Sequence, residues 1–282
     1  MPELPEAETV RSQLEPRIVG QTIQTAWARL PRRTFPSIDA FIAQVQGTTI
    51  VAAKRRGKQI YFPLANDLNF LVHLGMTGRL EVQEGDIATP FDPTTLHKHI
   101  HAVLRFGSGN SLVFTDPRTF GSVGVSSDLP FIATMGPEPL DDDFDEAAMV
   151  ASLRKRKTKI KAALLDQKIV AGLGNIYADE VCFLAGVHPA TPACDVPLKR
   201  LKELVSQMKP VLERAIAARG ATLKDNGYQD IFGTYGEYHP LAYGRTGEPC
   251  HNCSKPIQRG VLGAGKSARS FHFCPHCQPL KR

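Results

Sequence analysis

Apolar residues near the start of the chain recur at helical spacing. Ala7, Val10 and Leu14 stand three or four residues apart, which predicts an amphipathic helix from Leu4 to about Pro16. The residues before Leu4 therefore lie at the rigid beginning of a helix.

As far as about residue 125, the pattern changes to short stretches rich in β-branched and aromatic residues. They alternate with turn signals such as the Gly-Ser-Gly-Asn at residues 107–110. The predicted strands cover residues 48–53, 59–64, 69–73, 100–106 and 111–115. Their spacing is typical of a β-sandwich.

Helical patterns return after a Gly- and Pro-rich linker at residues 135–139. Helices are predicted at residues 146–154, 158–165, 176–185 and 198–219. Residues 227–247 are rich in Gly and Tyr and are expected to form a loop. A chain of 282 residues is long enough for two globular domains with cores of their own.

Charge adds a candidate partner. The net charge is +6 and the isoelectric point is about 9.0, and the excess is concentrated in two places. Residues 152–168 carry seven Arg or Lys against Asp166, and residues 245–282 carry seven against Glu248. These clusters favour a polyanionic partner such as nucleic acid.

A membrane protein is not expected. The sequence has neither a signal peptide nor an apolar stretch long enough to cross a bilayer. We therefore expect a cytosolic protein, in which thiols stay reduced.

Four of the six cysteines form two Cys-x2-Cys pairs near the end of the chain, with twenty residues between the pairs. Reduced thiolates at this spacing are typical of one structural Zn²⁺. The alternative is a pair of disulfides or a redox motif. The predicted ligands are Cys250, Cys253, Cys274 and Cys277.

The first residues carry candidate chemistry. Removal of Met1 would leave Pro2 as a free secondary amine, and an α-amino group has a pKa of about 7.7–8.0. An unprotonated amine can attack an electrophilic carbon and form an iminium, with Glu3 and Glu6 as candidate proton donors or acceptors. The alternative is that the prolines only begin a helix.

A third motif lies in the helical half, where Gly172 and Gly174 precede Asn175 and Tyr177. Glycines at a helix start let backbone N–H groups approach an anion closely. Beside the basic cluster, the motif predicts a clamp for DNA phosphates. The alternative is a plain helix cap.

Together these motifs resemble the formamidopyrimidine-DNA glycosylases, within the wider family that includes endonuclease VIII-type enzymes. The resemblance covers nearly the whole chain. It rests on Pro2-Glu3-Leu4-Pro5-Glu6, His73-Leu74-Gly75-Met76-Thr77-Gly78, Asp116-Pro117-Arg118-Thr119-Phe120-Gly121, residues 172–180 and the four terminal cysteines.

The resemblance implies a multidomain α+β protein with DNA bound between its domains. Its parts would be a catalytic β-sandwich with flanking helices (2–134), a helix-two-turn-helix domain (135–226), a lesion-covering loop and linker (227–244) and a zinc β-hairpin (245–282). Residues 224–243 would cover the extruded base. The hairpin is longer than is usual in the family, so the contacts of its tip are open.

Residue roles follow from the same resemblance. Pro2 would attack C1′ of the damaged nucleoside, Glu3 would supply acid–base help and Glu6 would support the site. Lys58 would donate a proton during elimination, and Arg269 would do so in the second elimination. The residues expected to contact phosphate are His73, Asn175, Tyr177 and Arg269, and those expected to fill the gap left by the extruded base are Met76, Arg118 and Phe120.

The implied function is base excision repair of duplex DNA by a monomeric bacterial enzyme associated with the nucleoid. It would remove 8-oxoguanine and formamidopyrimidines and then cleave the strand by β,δ-elimination. One alternative is an endonuclease VIII-like enzyme for oxidised pyrimidines. Another is a zinc-containing protein that binds damaged DNA without catalysis.

Overall fold

The computed structural model describes residues 2–85, 91–222, 228–265 and 268–280. The chain divides into two compact units. The first comprises Met1–Ala133 with Ala218–Glu237, and the second comprises Thr134–Ala217 with Tyr238–Arg282.

The first unit contains two helices and nine strands among its described residues, followed by a short helix at its end. In chain order these are α1 (Leu4–Ile18), β1 (Ile23–Ala28), β2 (Thr34–Phe35), α2 (Ile38–Val45), β3 (Lys54–Arg56), β4 (Gln59–Pro63), β5 (Asn69–His73), β6 (Arg79–Gln83), β7 (Ile100–Phe106), β8 (Ser111–Thr115), β9 (Ser122–Ser126) and the short α3 (Pro130–Thr134). One sheet has the order β1-β7-β8-β6 and the other β2-β9-β5-β4-β3. Neighbouring strands are antiparallel except for β2 and β9.

The two sheets share one hydrophobic core, as in the predicted sandwich. In β4 and β5 every second side chain is buried, which places Phe62 and Phe70 against each other with ring centroids 5.4 Å apart. Helix α1 buries Val10 and Leu14 in the same core. The predicted helix and the α+β fold class are confirmed.

The second unit is helical and ends in a hairpin. Its elements are α4 (Glu146–Arg154), α5 (Ile160–Leu165), α6 (Asn175–Leu184), α7 (Leu198–Ser206), α8 (Met208–Ala217), β10 (Gln258–Leu262) and β11 (Arg269–Phe273). The hairpin strands are antiparallel, and Leu262 lies opposite Arg269. Helix α6 is buried on nearly all sides, and none of the helices in the described ranges has the length and apolar character needed to cross a membrane.

Two sequence predictions differ from the structure. Residues 48–53 form only isolated bridges, and the strand lies at Lys54–Arg56 instead. Ile50 is apolar because it is buried in the core, which does not require a strand. The predicted helix at 198–219 is two helices, α7 and α8, because Pro210 cannot donate the backbone hydrogen bond of a continuous helix.

The compact units also group the chain differently from the four predicted domains. Residues Ala218–Glu237 group with the N-terminal unit, and the hairpin of β10 and β11 groups with the helices. Strands β1, β6 and β9 and helix α2 are absent from the sequence prediction.

Candidate functional site

The N-terminal residues are held by a reciprocal cap at the start of α1. Glu3 is the N-cap residue, and its backbone N–H donates to Glu6 Oε2 at 2.7 Å. Both glutamates are about 1% exposed. This capping geometry fixes the position of Pro2, which directly precedes the N-cap residue. Pro2 can therefore both begin the helix and serve as a positioned nucleophile.

The second carboxylate oxygen of Glu6 binds a distant part of the chain. Glu6 Oε1 accepts from the backbone N–H of Ala221 at 2.7 Å. A Cβ at Gly220 would stand 2.8 Å from the Glu6 side chain, and the φ of Gly220 is +83°. Only glycine fits there without strain. Sequence reasoning missed this contact, because its partners are 215 residues apart.

Lys58 lies in the turn between β3 and β4, within electrostatic reach of Glu3 and Glu6. Loss of hydration in this half-buried position lowers the pKa of Lys58, outweighing the attraction of the two carboxylates. A lysine with a lowered pKa exchanges its proton more readily near neutral pH. The structure thus brings three predicted catalytic residues together at the start of α1.

His73 ends β5 and shares this environment. Burial lowers the pKa of His73, and the positive charges of Lys58 and Arg33 lower it further. Its Nδ1 accepts from the backbone N–H of Gly75 at 3.1 Å. A neutral imidazole bound in this way carries its proton on Nε2, which leaves Nε2–H as a donor.

Two loops bearing predicted base-gap residues are joined by Asp116, which is fully buried. Asp116 Oδ1 accepts from Thr77 Oγ1 at 2.5 Å and from the backbone N–H of Arg118 at 3.2 Å. Asp116 Oδ2 accepts from the backbone N–H of Gly121 at 2.7 Å. One carboxylate therefore fixes the loop after β5 and the loop after β8 together.

Gly75 allows these loops to touch. A Cβ at Gly75 would lie 2.4 Å from the nitrogen of Gly121 and 2.6 Å from the carbonyl carbon of Phe120. Phe120 is 46% exposed, and the guanidinium carbon of Arg118 lies 5.1 Å from the centre of its ring. Met76 is half-buried, so all three predicted base-gap residues lie on adjoining loops at the surface.

The Gly172–Tyr177 motif forms the start of α6, as predicted. Asn175 is half-buried, and its Nδ2 donates to the hydroxyl of Tyr243 at 3.1 Å. Tyr177 is fully buried and packs against Tyr238 with ring centroids 5.6 Å apart. The phosphate contact of Tyr177 stays a prediction, and in this conformation its side chain supports the unit from within.

One lysine of the basic cluster is not on the surface. Lys161 is fully buried, and its Nζ donates to Asp179 Oδ1 at 2.7 Å and to the carbonyl of Ser270 at 2.8 Å. Asp179 Oδ2 accepts from the backbone N–H of His272 at 2.8 Å. This ion pair connects α5, α6 and β11, and sequence spacing gave no signal for it.

The four predicted metal ligands converge. Their Sγ atoms all lie within 4.8 Å of one another, with 3.4 Å between those of Cys253 and Cys274 and 3.9 Å between those of Cys250 and Cys277. Tetrahedral Zn²⁺ with Zn–S bonds of about 2.3 Å requires sulfur atoms about 3.8 Å apart. The cysteines are free thiols, so the cluster fits structural zinc.

The hairpin places Arg269 opposite Leu262. Arg269 begins β11, is exposed, and donates through one guanidinium nitrogen to the carbonyl of Ala268 at 2.9 Å. Its predicted phosphate contact requires an exposed cation, which the structure provides.

Comparison with known proteins gives the same family along the whole chain. The model of the formamidopyrimidine-DNA glycosylase N-terminal domain matches residues 1–123, and that of the family's H2TH domain matches residues 135–226. The formamidopyrimidine-DNA glycosylase of Paracoccus denitrificans is 41% identical over 99% of this chain and all of its own length. That of Acinetobacter baylyi is 39% identical over the full length of both chains.

Solved structures agree with this result. The MutM (Fpg) protein of Thermus thermophilus superposes with a TM-score of 0.86 at 34% identity, covering both chains fully. The Lactococcus lactis Fpg in complex with DNA containing an abasic site superposes with a TM-score of 0.87 at 35% identity, over 99% of this chain and all of that one.

Proposed function

The chain belongs to the formamidopyrimidine-DNA glycosylase family, and from that premise we propose that it removes oxidised purines from duplex DNA and then cleaves the strand. The observation that carries the proposal is the arrangement at the start of α1. Pro2 directly precedes two buried carboxylates, Glu3 and Glu6, and Lys58, whose pKa is lowered, lies within electrostatic reach of both.

The proposed chemistry begins at the Pro2 nitrogen after Met1 is removed. The amine forms a bond to C1′ as the bond between C1′ and the base breaks, and the proton of the amine leaves with the departing base. The C1′–O4′ bond of the sugar then opens: the nitrogen lone pair forms the iminium with C1′, and O4′ takes a proton, for which Glu3 is the candidate donor. The resulting iminium draws electrons from the sugar. Loss of the 2′ proton then expels the 3′ phosphate, and a second elimination expels the 5′ phosphate.

Lys58 and Arg269 are the proposed proton donors of these eliminations. The pKa of Lys58 is lowered by burial, which suits a group that must release a proton near neutral pH. Glu6 holds the start of α1 through Glu3 and reaches Ala221, which supports its proposed role as a positioning group.

Access to the damaged base requires its extrusion from the helix, which costs a few kcal/mol. We assign the occupation of the vacated space to Met76 and Phe120, because apolar side chains inserted into the stack recover part of that cost. Arg118 would donate to the O2 and N3 acceptors of an orphaned cytosine.

The proposed phosphate clamp consists of His73, Asn175 and Arg269, and Tyr177 is kept in it as a predicted contact whose side chain is buried in this conformation. His73 offers a neutral Nε2–H, Asn175 stands at a helix N-terminus and Arg269 is exposed. Structural zinc held by the four cysteines would fix the fold of the hairpin and would take no part in the reaction.

The proposed substrates are 8-oxoguanine and formamidopyrimidines paired with cytosine. A mutant of the Lactococcus lactis Fpg has been solved in complex with DNA containing Fapy-dG, and we propose that this chain takes the same lesion as substrate. We further propose that it acts as a monomer in the bacterial cytoplasm, in association with the nucleoid. Excision of thymine glycol much faster than 8-oxoguanine in the same duplex would instead favour the endonuclease VIII-like alternative.

The covalent step is tested by borohydride reduction of the enzyme mixed with a duplex containing 8-oxoguanine, after mass spectrometry of the protein's N-terminus. We expect a protein–DNA adduct on Pro2, and its loss when Met1 is retained or Pro2→Gly is introduced. An adduct on a lysine would overturn the mechanism, and binding without any adduct or cleavage would favour a non-catalytic damage-binding protein.

A further inference from the structure

Residues 218–222 and 228–237 follow the helices in sequence but belong to the first unit, where they contact one face of α1. The contacts are made by Glu6, Gln13 and Arg17, whose spacing of seven and four residues places them on the same side of a helix. The helix that begins beside Pro2 thus also supports this distant segment.

The contact at Gln13 uses both ends of its side-chain amide. Gln13 Nε2 donates to Asp230 Oδ2 at 3.0 Å, and Gln13 Oε1 accepts from the backbone N–H of Ile231 at 3.3 Å. Asp230 is 1% exposed. A hydrogen bond to a buried carboxylate stabilises the folded chain more than one between neutral groups.

Asp230 in turn organises the residues that follow it. Its Oδ1 accepts from the backbone N–H of Phe232 at 3.0 Å and of Thr234 at 2.9 Å, and its own backbone N–H donates to the carbonyl of Thr234 at 2.9 Å. Gln13 contacts only the beginning of the turn from Asp230 to Thr234 among the described residues. Through Asp230, a change at Gln13 therefore also affects the end of this turn.

The same segment contacts the proposed site. The backbone of Gly220 and Ala221 lies against the Glu6 carboxylate, and the hydroxyl of Tyr228 lies 3.5 Å from the Glu6 carbonyl oxygen. A damaged base bound beside Glu3 and Glu6 would contact this segment. An abasic site lacks the base and would not make this contact.

We propose that Gln13 is a positioning residue for base excision: it holds the Tyr228–Glu237 stretch in register with α1 through Asp230, and thereby sets the wall against which the damaged base is held. The inference rests on the proposed function. It predicts that Gln13 affects removal of a base and has little effect on strand cleavage at a site where the base is already absent.

The test compares Gln13→Ala with wild type on two versions of one duplex under single-turnover conditions. One carries 8-oxoguanine opposite cytosine and the other a preformed abasic site. Loss of the hydrogen bond to Asp230 should slow excision about tenfold and change abasic-site cleavage by less than about twofold. Ser12→Ala is the matched control, because among the residues that the structure describes the Ser12 hydroxyl bonds only within the helix, to the carbonyl of Thr9. Both of its rates should equal those of wild type.

Two further variants separate positioning from general loss of structure. Gln13→Glu places a second carboxylate next to that of Asp230. Because the two negative charges repel each other, excision should be slower than in Gln13→Ala. In the double variant Gln13→Glu with Asp230→Asn, the amide of residue 230 can donate to the new carboxylate of residue 13. Its amide oxygen can still accept from the backbone N–H groups of Phe232 and Thr234. The excision rate should therefore be largely restored, and a double-mutant cycle measures this coupling. The unfolding of the first unit is followed in each variant through Trp27, the single tryptophan of the chain.

Equal losses on the two substrates, unchanged excision in Gln13→Ala, or no rescue in the double variant would overturn the inference. These outcomes require an active wild type. Failure of the proposed function is a different result, in which wild type neither excises 8-oxoguanine nor cleaves the abasic site.

Discussion

Gly75→Ala offers a quantitative test of how the site is assembled. At a φ of +63°, an alanine costs about 1–2 kcal/mol in backbone strain. Its Cβ would also stand 2.4 Å and 2.6 Å from backbone atoms of Gly121 and Phe120, which cannot move aside like the end of a side chain. Such overpacking costs about 1–3 kcal/mol more, so the free energy of unfolding should fall by about 2–5 kcal/mol.

Gly47→Ala is the matched control, because Gly47 has a φ of +82° and nothing within 4 Å of an added Cβ. It should lose only the backbone part, about 1–2 kcal/mol. Urea unfolding of the first unit, followed through Trp27 fluorescence, compares the two variants. A fluorescent base analogue at the lesion should show that only Gly75→Ala impairs extrusion, because it separates the loops of Met76 and Phe120.

Equal unfolding free energies for the two variants would refute the claim that the close contact of these loops is sterically fixed. Normal extrusion in a strongly destabilised Gly75→Ala would refute the claim that extrusion depends on that contact.

Three other predictions follow from the site. Cys274→Ser should abolish binding of one Zn²⁺ per chain and weaken DNA binding, while Trp27 reports unchanged unfolding of the first unit; metal analysis and urea titration check this. Lys58→Met should abolish strand cleavage yet raise the unfolding free energy at pH 7. Because the folded-state pKa of Lys58 lies below its unfolded value of about 10.4, wild-type stability should rise with pH between those two pKa values, and this rise should be missing from the variant. Arg269→Ala should reduce the slope of log affinity against log salt by about 1 for every duplex, whereas Met76→Ala should leave the slope unchanged in the same binding titrations.

The sequence by itself determined the features that depend on local spacing. The concentration of β-branched and aromatic residues in β4 and β5 and the recurrence of Val10 and Leu14 in α1 predicted elements that the structure confirms. Two Cys-x2-Cys pairs identified the four residues of the cysteine cluster, because each pair holds its own two sulfurs close together and only the approach of the two pairs remained open. The Pro2–Glu6 motif likewise placed its residues at a helix start through its own local capping geometry.

Contacts between distant residues were decided by tertiary structure alone. No periodicity in the sequence indicates that Ala221 binds Glu6, that Asp116 joins two loops, or that Gln13 meets Asp230. Pattern reasoning placed Lys161 with the basic cluster, yet packing buries it against Asp179. The spacing of apolar residues in the sequence determines which face of a helix or strand is apolar. The partner of a buried polar group depends instead on how distant elements pack. Buried donors and acceptors must form hydrogen bonds with whichever segment the fold places beside them.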